Sequence, residues 1–330
     1  MAIVPGTDPG SIQAAAAALA AGSLVAFPTE TVYGLGARAD DDTAVARIFA
    51  AKGRPSEHPL IVHLADVGAA DAFGEGLGDA ARRLIAAFWP GPLSLIVRRR
   101  AGRALAAAGG QDSIALRMPA HPVAQALLRE AARLGVPGVA APSANRYGRV
   151  SPTRASHVLQ EFGPALMVLD GGDCDVGIES AIVDCSRDVP ALLRPGQLGR
   201  AAIEAVLGRP LALPDQSSPR APGTLASHYA PTAPVSLLDE RSLADRLRLR
   251  KGPPGGLGGA VVGVYSRLTS APRTAFLHRT MPDDAAAVAH ELFAVLREFD
   301  EAHVAAIWVQ RPPPGPQWDG VRDRLQRAAA

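Results

Sequence analysis

The 330-residue chain is short of nearly everything that would make its chemistry obvious. Its two cysteines, Cys174 and Cys185, have neither CxxC spacing nor the number a disulfide framework needs, so a reduced, cytoplasmic setting is expected. Its eight histidines form no spacing that reads as a zinc site. Aromatics are only 5% of the residues, so the 48% that are hydrophobic must build cores from Ala, Leu, Val and Ile. No sign of charge dominates: 34 Lys and Arg face 32 Asp and Glu, a net +2. That balance excludes a general polyanion binder, and strong tRNA binding is not expected. Long apolar spans are missing too. Residues 9–29 carry no charge, but Pro9, Gly10, Gln13, Gly22 and Pro28 interrupt them. No Lys or Arg precedes Arg38, so neither a membrane span nor a secretory leader is expected. Coiled-coil heptads are absent, which leaves a monomer as the default. The sequence has no G-x-x-x-x-G-K-[ST], no complete G-x-G-x-x-G, no G-x-S-x-G and no zincin pair. Any phosphate chemistry needs a different cradle.

What is present reads as α/β, and the length favours about two domains. Alternating patterns predict helices at 11–21, 41–51, 79–88, 122–134, 151–162 and 201–207. Strands are expected at 24–27, 60–64, 93–97, 113–118, 139–141, 166–169, 181–184 and 191–193. Six prolines then crowd residues 209–234, which reads as a semi-rigid linker. A second, Rossmann-like pattern follows, with strands at 235–238, 260–265 and 305–309 and helices at 283–299 and 319–329. Gly252–Gly259 is a low-complexity loop. The expected division is 1–207, a linker 208–234, and 235–330.

Four polar clusters sit where apolar strands or helices end, the place where open α/β sheets bind ligands. Pro28–Gly36 supplies two hydroxyls, a carboxylate and a phenol beside glycines, and alone it equally fits a turn. Lys52-Gly53-Arg54 ends a helix, where cations often only complement the dipole. Yet Lys52 and Lys251 are the only lysines, so an Arg-rich chain has used an ammonium here. An ammonium and a guanidinium together suit phosphate. Ser113 and Arg117 share a strand face, which suits an anion or merely solvent. Ser143-Ala144-Asn145, then Ser151, offers small residues and donors to a nucleotide, or is an ordinary loop. Gly177–Ser180, Arg194-Pro195-Gly196 and Ser227–Pro231 lie nearby in the pattern.

Together, in this order, these motifs resemble the Sua5/YrdC/YciO family in its long, Sua5-type form. The likeness rests on Lys52-x-Arg54 and Ser143-x-Asn145, with Trp89-Pro90-Gly91-Pro92, Ala115–Pro119, Leu193–Gly196, Ala221-Pro222-Gly223 and His228–Pro231 around them. The resemblance implies a twisted, open α/β catalytic domain with a concave cavity, a linker covering the active site, and a smaller Rossmann-like domain. It implies that L-threonine, bicarbonate or CO2, and ATP with Mg2+ give threonylcarbamoyl-AMP and pyrophosphate. The product would pass to a transferase complex that makes N6-threonylcarbamoyladenosine in tRNA. Thr31, His63, Arg117, Ala141 and Ser180 fall where the family holds L-threonine. Arg54, His58, Ser113, Ser143, Ser151, Arg194 and Tyr229 fall where it holds ATP. Lys52 and Asn145 complete the signature pairs, with Lys52 and Arg54 as the catalytic cations. No metal ligand comes from the protein. At His58 the family commonly has Asn. The competing reading is a non-catalytic RNA-binding or regulatory module.

Overall fold

The computed structural model describes residues 3–249, 261–268 and 276–330. Lys251 and the Gly252–Gly259 loop lie outside these residues, as does the first residue of the strand expected at 260–265. Two compact units emerge: Met1–Tyr147 with Ser151–Thr224, and Gly148–Val150 with Leu225–Ala330.

The first unit runs β1 (Ile3–Pro5), α1 (Pro9–Ala20), β2 (Val25–Phe27), β3 (Gly34–Arg38), α2 (Asp42–Lys52), β4 (Ile61–His63), α3 (Asp79–Phe88), β5 (Leu93–Arg98), β6 (Ser113–Arg117), α4 (Pro122–Arg133), β7 (Val139–Ala140), α5 (Ala155–Phe162), β8 (Met167–Asp170), β9 (Ala181–Asp184), β10 (Ala191–Arg194) and α6 (Arg200–Leu207). The strands form one ten-stranded mixed sheet in the order β1-β8-β2-β3-β7-β4-β6-β5-β9-β10. Alternating side chains build a core on each face: Val25 and Phe27 join one apolar cluster with Ile12, Leu19, Leu127 and Leu128, while Ala26 joins another with Ile48, Leu84, Val158 and Ile203. Helices α1 and α4 therefore cover one face, and α2, α3, α5 and α6 the other. Local chemistry sets the helix ends. Asp8 caps α1 by accepting from Ser11 N, and Asp41 caps α2 by accepting from Thr43 N and Ala44 N. Gly53 ends α2 at φ 63°, a left-handed turn that a side chain would strain.

The structure departs from the sequence pattern in a few places. The Pro28–Gly36 turn runs on into β3, pairing Gly36 with Val25. A Cβ at Gly36 would stand 2.8 Å from the side chains of Phe27 and Val139, so only glycine lets the strand pass there. Helix α5 begins at Ala155, not Ser151. Residues 151–153 stay outside the helix, where Pro152 O accepts from Tyr33 N and Thr153 N donates to His157 Nδ1.

The second unit comprises β11 (Val235–Leu238), α7 (Glu240–Leu249), β12 (Val262–Ser266), β13 (Phe276–Thr280), α8 (Ala285–Glu301), β14 (Ala306–Gln310) and α9 (Asp319–Ala328). Among the described residues its four strands are all parallel, in the order β11-β14-β12-β13. The Pro-rich stretch is not a free spacer. Residues 208–224 belong to the first unit, where Leu211 is buried, Ala212 bridges Ala191, and Arg220 donates to Gly109 O. Residues 225–234 belong to the second. Among the described residues no helix is long and apolar enough to cross a membrane.

Candidate active site

The parallel strands β4 and β6 place His63 beside Arg117 at their C-terminal ends. The β2–β3 connection brings Thr29, Glu30 and Thr31 against that pair. Thr29 Oγ1 accepts from Thr31 N and Val32 N and donates to Val32 O, so the connection is fixed by its own hydroxyl. Arg117 Nη1 donates to Thr31 Oγ1 at 2.9 Å, and its Nε donates to Gly91 O at 3.3 Å. Arg117 Nη2 lies 2.8 Å from Glu30 Oε1 in an ion pair whose two side chains are 4% and 7% exposed. Glu30 Oε2 accepts from Ala120 N at 3.1 Å. Burial, and then the Arg117 charge, push the His63 pKa down to about 3, so the imidazole is neutral. Ala141 is buried next to β7, with its N–H given to Ile61 O at 2.9 Å.

A second group lies on β5, β9 and β10. Ser180 Oγ and Ser94 Oγ are 2.8 Å apart and both buried. Arg194 donates from Nε to Ser180 O, from Nη2 to Ser180 Oγ and from Nη1 to Pro222 O, at 3.0, 3.2 and 2.9 Å. The guanidinium thus ties the loop ahead of β9 to the Pro-rich segment. Gly91-Pro92 joins the two groups: Gly91 O takes Arg117, and Pro92 O takes Ala181 N at 3.0 Å.

The third group surrounds the end of α2. Lys52 is buried and donates from Nζ to Ser143 O at 2.6 Å and to Asn145 O. Burial, with Arg54 and Arg146 nearby, holds its pKa well below the usual lysine value, against the pull of Glu161 and Glu179. In this structure its amino group supports a loop backbone. That loop is also stitched to the β2–β3 connection: Leu35 N donates to Pro142 O, and Ala144 N donates to Tyr33 O. Asn145 Nδ2 donates to Arg146 O. Arg54 Nη2 donates to Pro59 O at 2.9 Å, and its guanidinium lies 5.9 Å from the Tyr147 ring centre. Tyr147 Oη and His58 Nδ1 are 3.0 Å apart. Burial, then Arg54, lowers the His58 pKa. Ser151 Oγ donates to Glu179 Oε1.

Ser113 begins β6 and is half-buried, four residues from Arg117 along the strand. Tyr229 belongs to the second unit. Its buried ring stacks 5.4 Å from Phe293, with the Arg324 guanidinium 5.3 Å from its centre. Sequence reasoning left Glu30, Ser94, Tyr147 and Glu179 without a role. Glu30 and Glu179 stood inside quoted motifs, next to assigned residues. Ser94 and Tyr147 carry no signal of their own.

A family model described as "Telomere recombination", covering Sua5, YciO and YrdC, matches residues 17–196. A second, described as the C-terminal domain of threonylcarbamoyl-AMP synthase, matches residues 198–330. Threonylcarbamoyl-AMP synthase of Bacillus subtilis is 40% identical, over 98% of this chain and 94% of the relative. The enzyme of the same name from Pyrococcus abyssi is 37% identical, over 96% of this chain and 94% of the relative. The crystal structure of P. abyssi Sua5 complexed with L-threonine superposes with a TM-score of 0.87 at 34% identity, covering 99% of this chain and 96% of that one.

Proposed function

Since the chain belongs to the Sua5/YciO/YrdC family and carries the Sua5 C-terminal domain, we infer that it is a threonylcarbamoyl-AMP synthase, joining L-threonine, bicarbonate or CO2, and ATP into L-threonylcarbamoyladenylate and pyrophosphate. The observation that carries this reading is likeness along nearly the whole chain, both domains in order, to enzymes of that name.

The neutral amine of threonine attacks CO2 and releases a proton to solvent, giving a carbamate. A carbamate oxygen then attacks the α-phosphorus of ATP, in line with the departing pyrophosphate. Such transfers ask for placement and charge neutralisation rather than a protein nucleophile. Arg117, Thr31, His63, Ser180 and the backbone at Ala141 hold threonine. Arg54, His58, Ser113, Ser143, Ser151 and Arg194 hold ATP, while Lys52 and Asn145 shape the loop that carries Ser143. The donors on the nucleotide side are cations and hydroxyls, which fits Mg2+ arriving on the ATP phosphates better than a carboxylate cage. When bound, that ion offsets phosphate charge. The buried cluster around Arg117 keeps water from the labile carbamate. The product supplies a transferase that modifies tRNA, in the reducing cytoplasm where two unpaired cysteines persist.

The test is pyrophosphate release from ATP with threonine and bicarbonate omitted in turn. Release is expected only with all three; threonine-independent release would exclude this reaction.

A further inference from the structure

Open parallel sheets bind ligands at the carboxyl ends of their strands, where two neighbours send the chain off in opposite directions. The second unit has one such point. β12 is followed by β13, its neighbour on one side, while β14 is followed by α9, which packs against β11 on the other. The switch point therefore lies between the ends of β12 and β14. Gln310 closes β14 there, and Arg267 follows the last residue of β12. Gln310 is 3% exposed, and its Oε1 accepts from Arg267 N at 2.8 Å, across from one strand end to the other. That bond fixes which way the amide faces. Its Nε2 has no hydrogen-bond partner among the described residues, so a buried side chain keeps a donor in reserve. Arg267 Nη2 donates to Arg311 O at 3.1 Å, and Nη1 lies 3.2 Å from Met281 Sδ, a weak acceptor. Neither partner carries a charge. Among the described residues neither Arg267 nor Arg311 is in an ion pair. The carboxylates at this end of the sheet serve the helices instead. Asp239 accepts from Ser242 N and Oγ in α7, and Asp284 from Ala287 N in α8. Two guanidinium groups and an amide donor, with the nearby carboxylates engaged, suit an anion of several oxygens. The guanidinium fork matches phosphate in particular.

We propose that the carboxyl end of the second unit's sheet is a binding site for a phosphate group, held by Gln310 Nε2 and the Arg267 guanidinium with Arg311 beside them. The site goes beyond the synthase reading and does not depend on it. The phosphate could arrive free, as pyrophosphate, or on a nucleotide.

The test is amide exchange of the full chain, titrated at constant ionic strength with inorganic pyrophosphate, with AMP and with adenosine. Pyrophosphate and AMP are expected to slow exchange over residues 262–268 and 306–311, and adenosine to leave it unchanged. The tighter of the two phosphate ligands identifies the source. Arg267→Met is expected to weaken this protection by roughly ten- to hundredfold, the worth of a hydrogen bond to a charged group. Gln310→Glu keeps an acceptor for Arg267 N but turns the donor into an anionic oxygen, and is expected to weaken it at least as much. No slowing at these residues in the intact protein, or equal slowing by adenosine, would overturn the proposal without any variant. So would variants that fold, by circular dichroism, and keep the protection. Exchange over residues 143–147 reports separately on the nucleotide loop of the synthase reading. Failure there would count against that reading and leave this site standing.

Discussion

An amino group lodged against two backbone carbonyls works as a strut, and that of Lys52 is one. It spans from the last turn of α2 to Ser143 O and Asn145 O. Lys52→Met keeps the stem and removes the donors, leaving two carbonyls short of a bond at a cost of about 1–3 kcal/mol. We expect pyrophosphate release to fall at least tenfold and amide exchange to quicken over residues 143–147. Lost turnover with unchanged exchange would place the amino group on phosphate instead. The scarcity of lysine singled out this residue in the sequence, but its partners were invisible there, because they are main-chain oxygens. Glu30 escaped assignment for a related reason. A carboxylate between two threonines looks like turn chemistry, and its meaning appears only when the β4–β6 register delivers Arg117 to it.

Elements with strong periodicity were legible to within a residue or two, α2, α3 and α4 among them. Those that were not legible had physical reasons. β1 has three residues, too few for any pattern. β3 is glycine-rich, so it reads as a turn. Helix α7 has a charged residue at five of its ten positions, which hides its apolar stripe. The two glycines that shape the site region make a sharp comparison. At Gly53 an added Cβ meets nothing within 4 Å, so Gly53→Ala costs only the left-handed backbone, about 1–2 kcal/mol. At Gly36 the Cβ would press on Phe27 and Val139, and overpacking costs about 1–3 kcal/mol before any shift of the ladder to β2 is counted. Thermal unfolding should show Gly36→Ala as the more damaging of the two. The reverse order would mean that the β2–β3 ladder yields easily.

Over the whole chain, the sequence pattern reads as two parts joined by residues 208–234, and the structure divides that stretch between its two units. Six prolines suggested a spacer, yet residues 208–224 are bonded into the first unit. Proline content reports stiffness, not where a segment packs. A fragment ending at Thr224 should therefore melt several degrees above one ending at Leu207, which loses the Leu211 side chain, the Ala191–Ala212 bridge and the Arg194–Pro222 bond. Equal melting temperatures would return that segment to the role of a spacer. The seam also has a meaning for inheritance. Gly148–Val150 sits inside the first unit's stretch of sequence but belongs to the second, where Arg149 bridges Ala230 and pairs with Asp300, and Val150 O receives Arg297. A recombination event that carried away residues 225–330 as a cassette would strand those three residues in the donor. A recipient would have to supply that short stretch of main chain, and an arginine at its centre for Asp300, from its own loop. Exchange of residues 225–330 alone therefore leaves the second unit without three residues of its own.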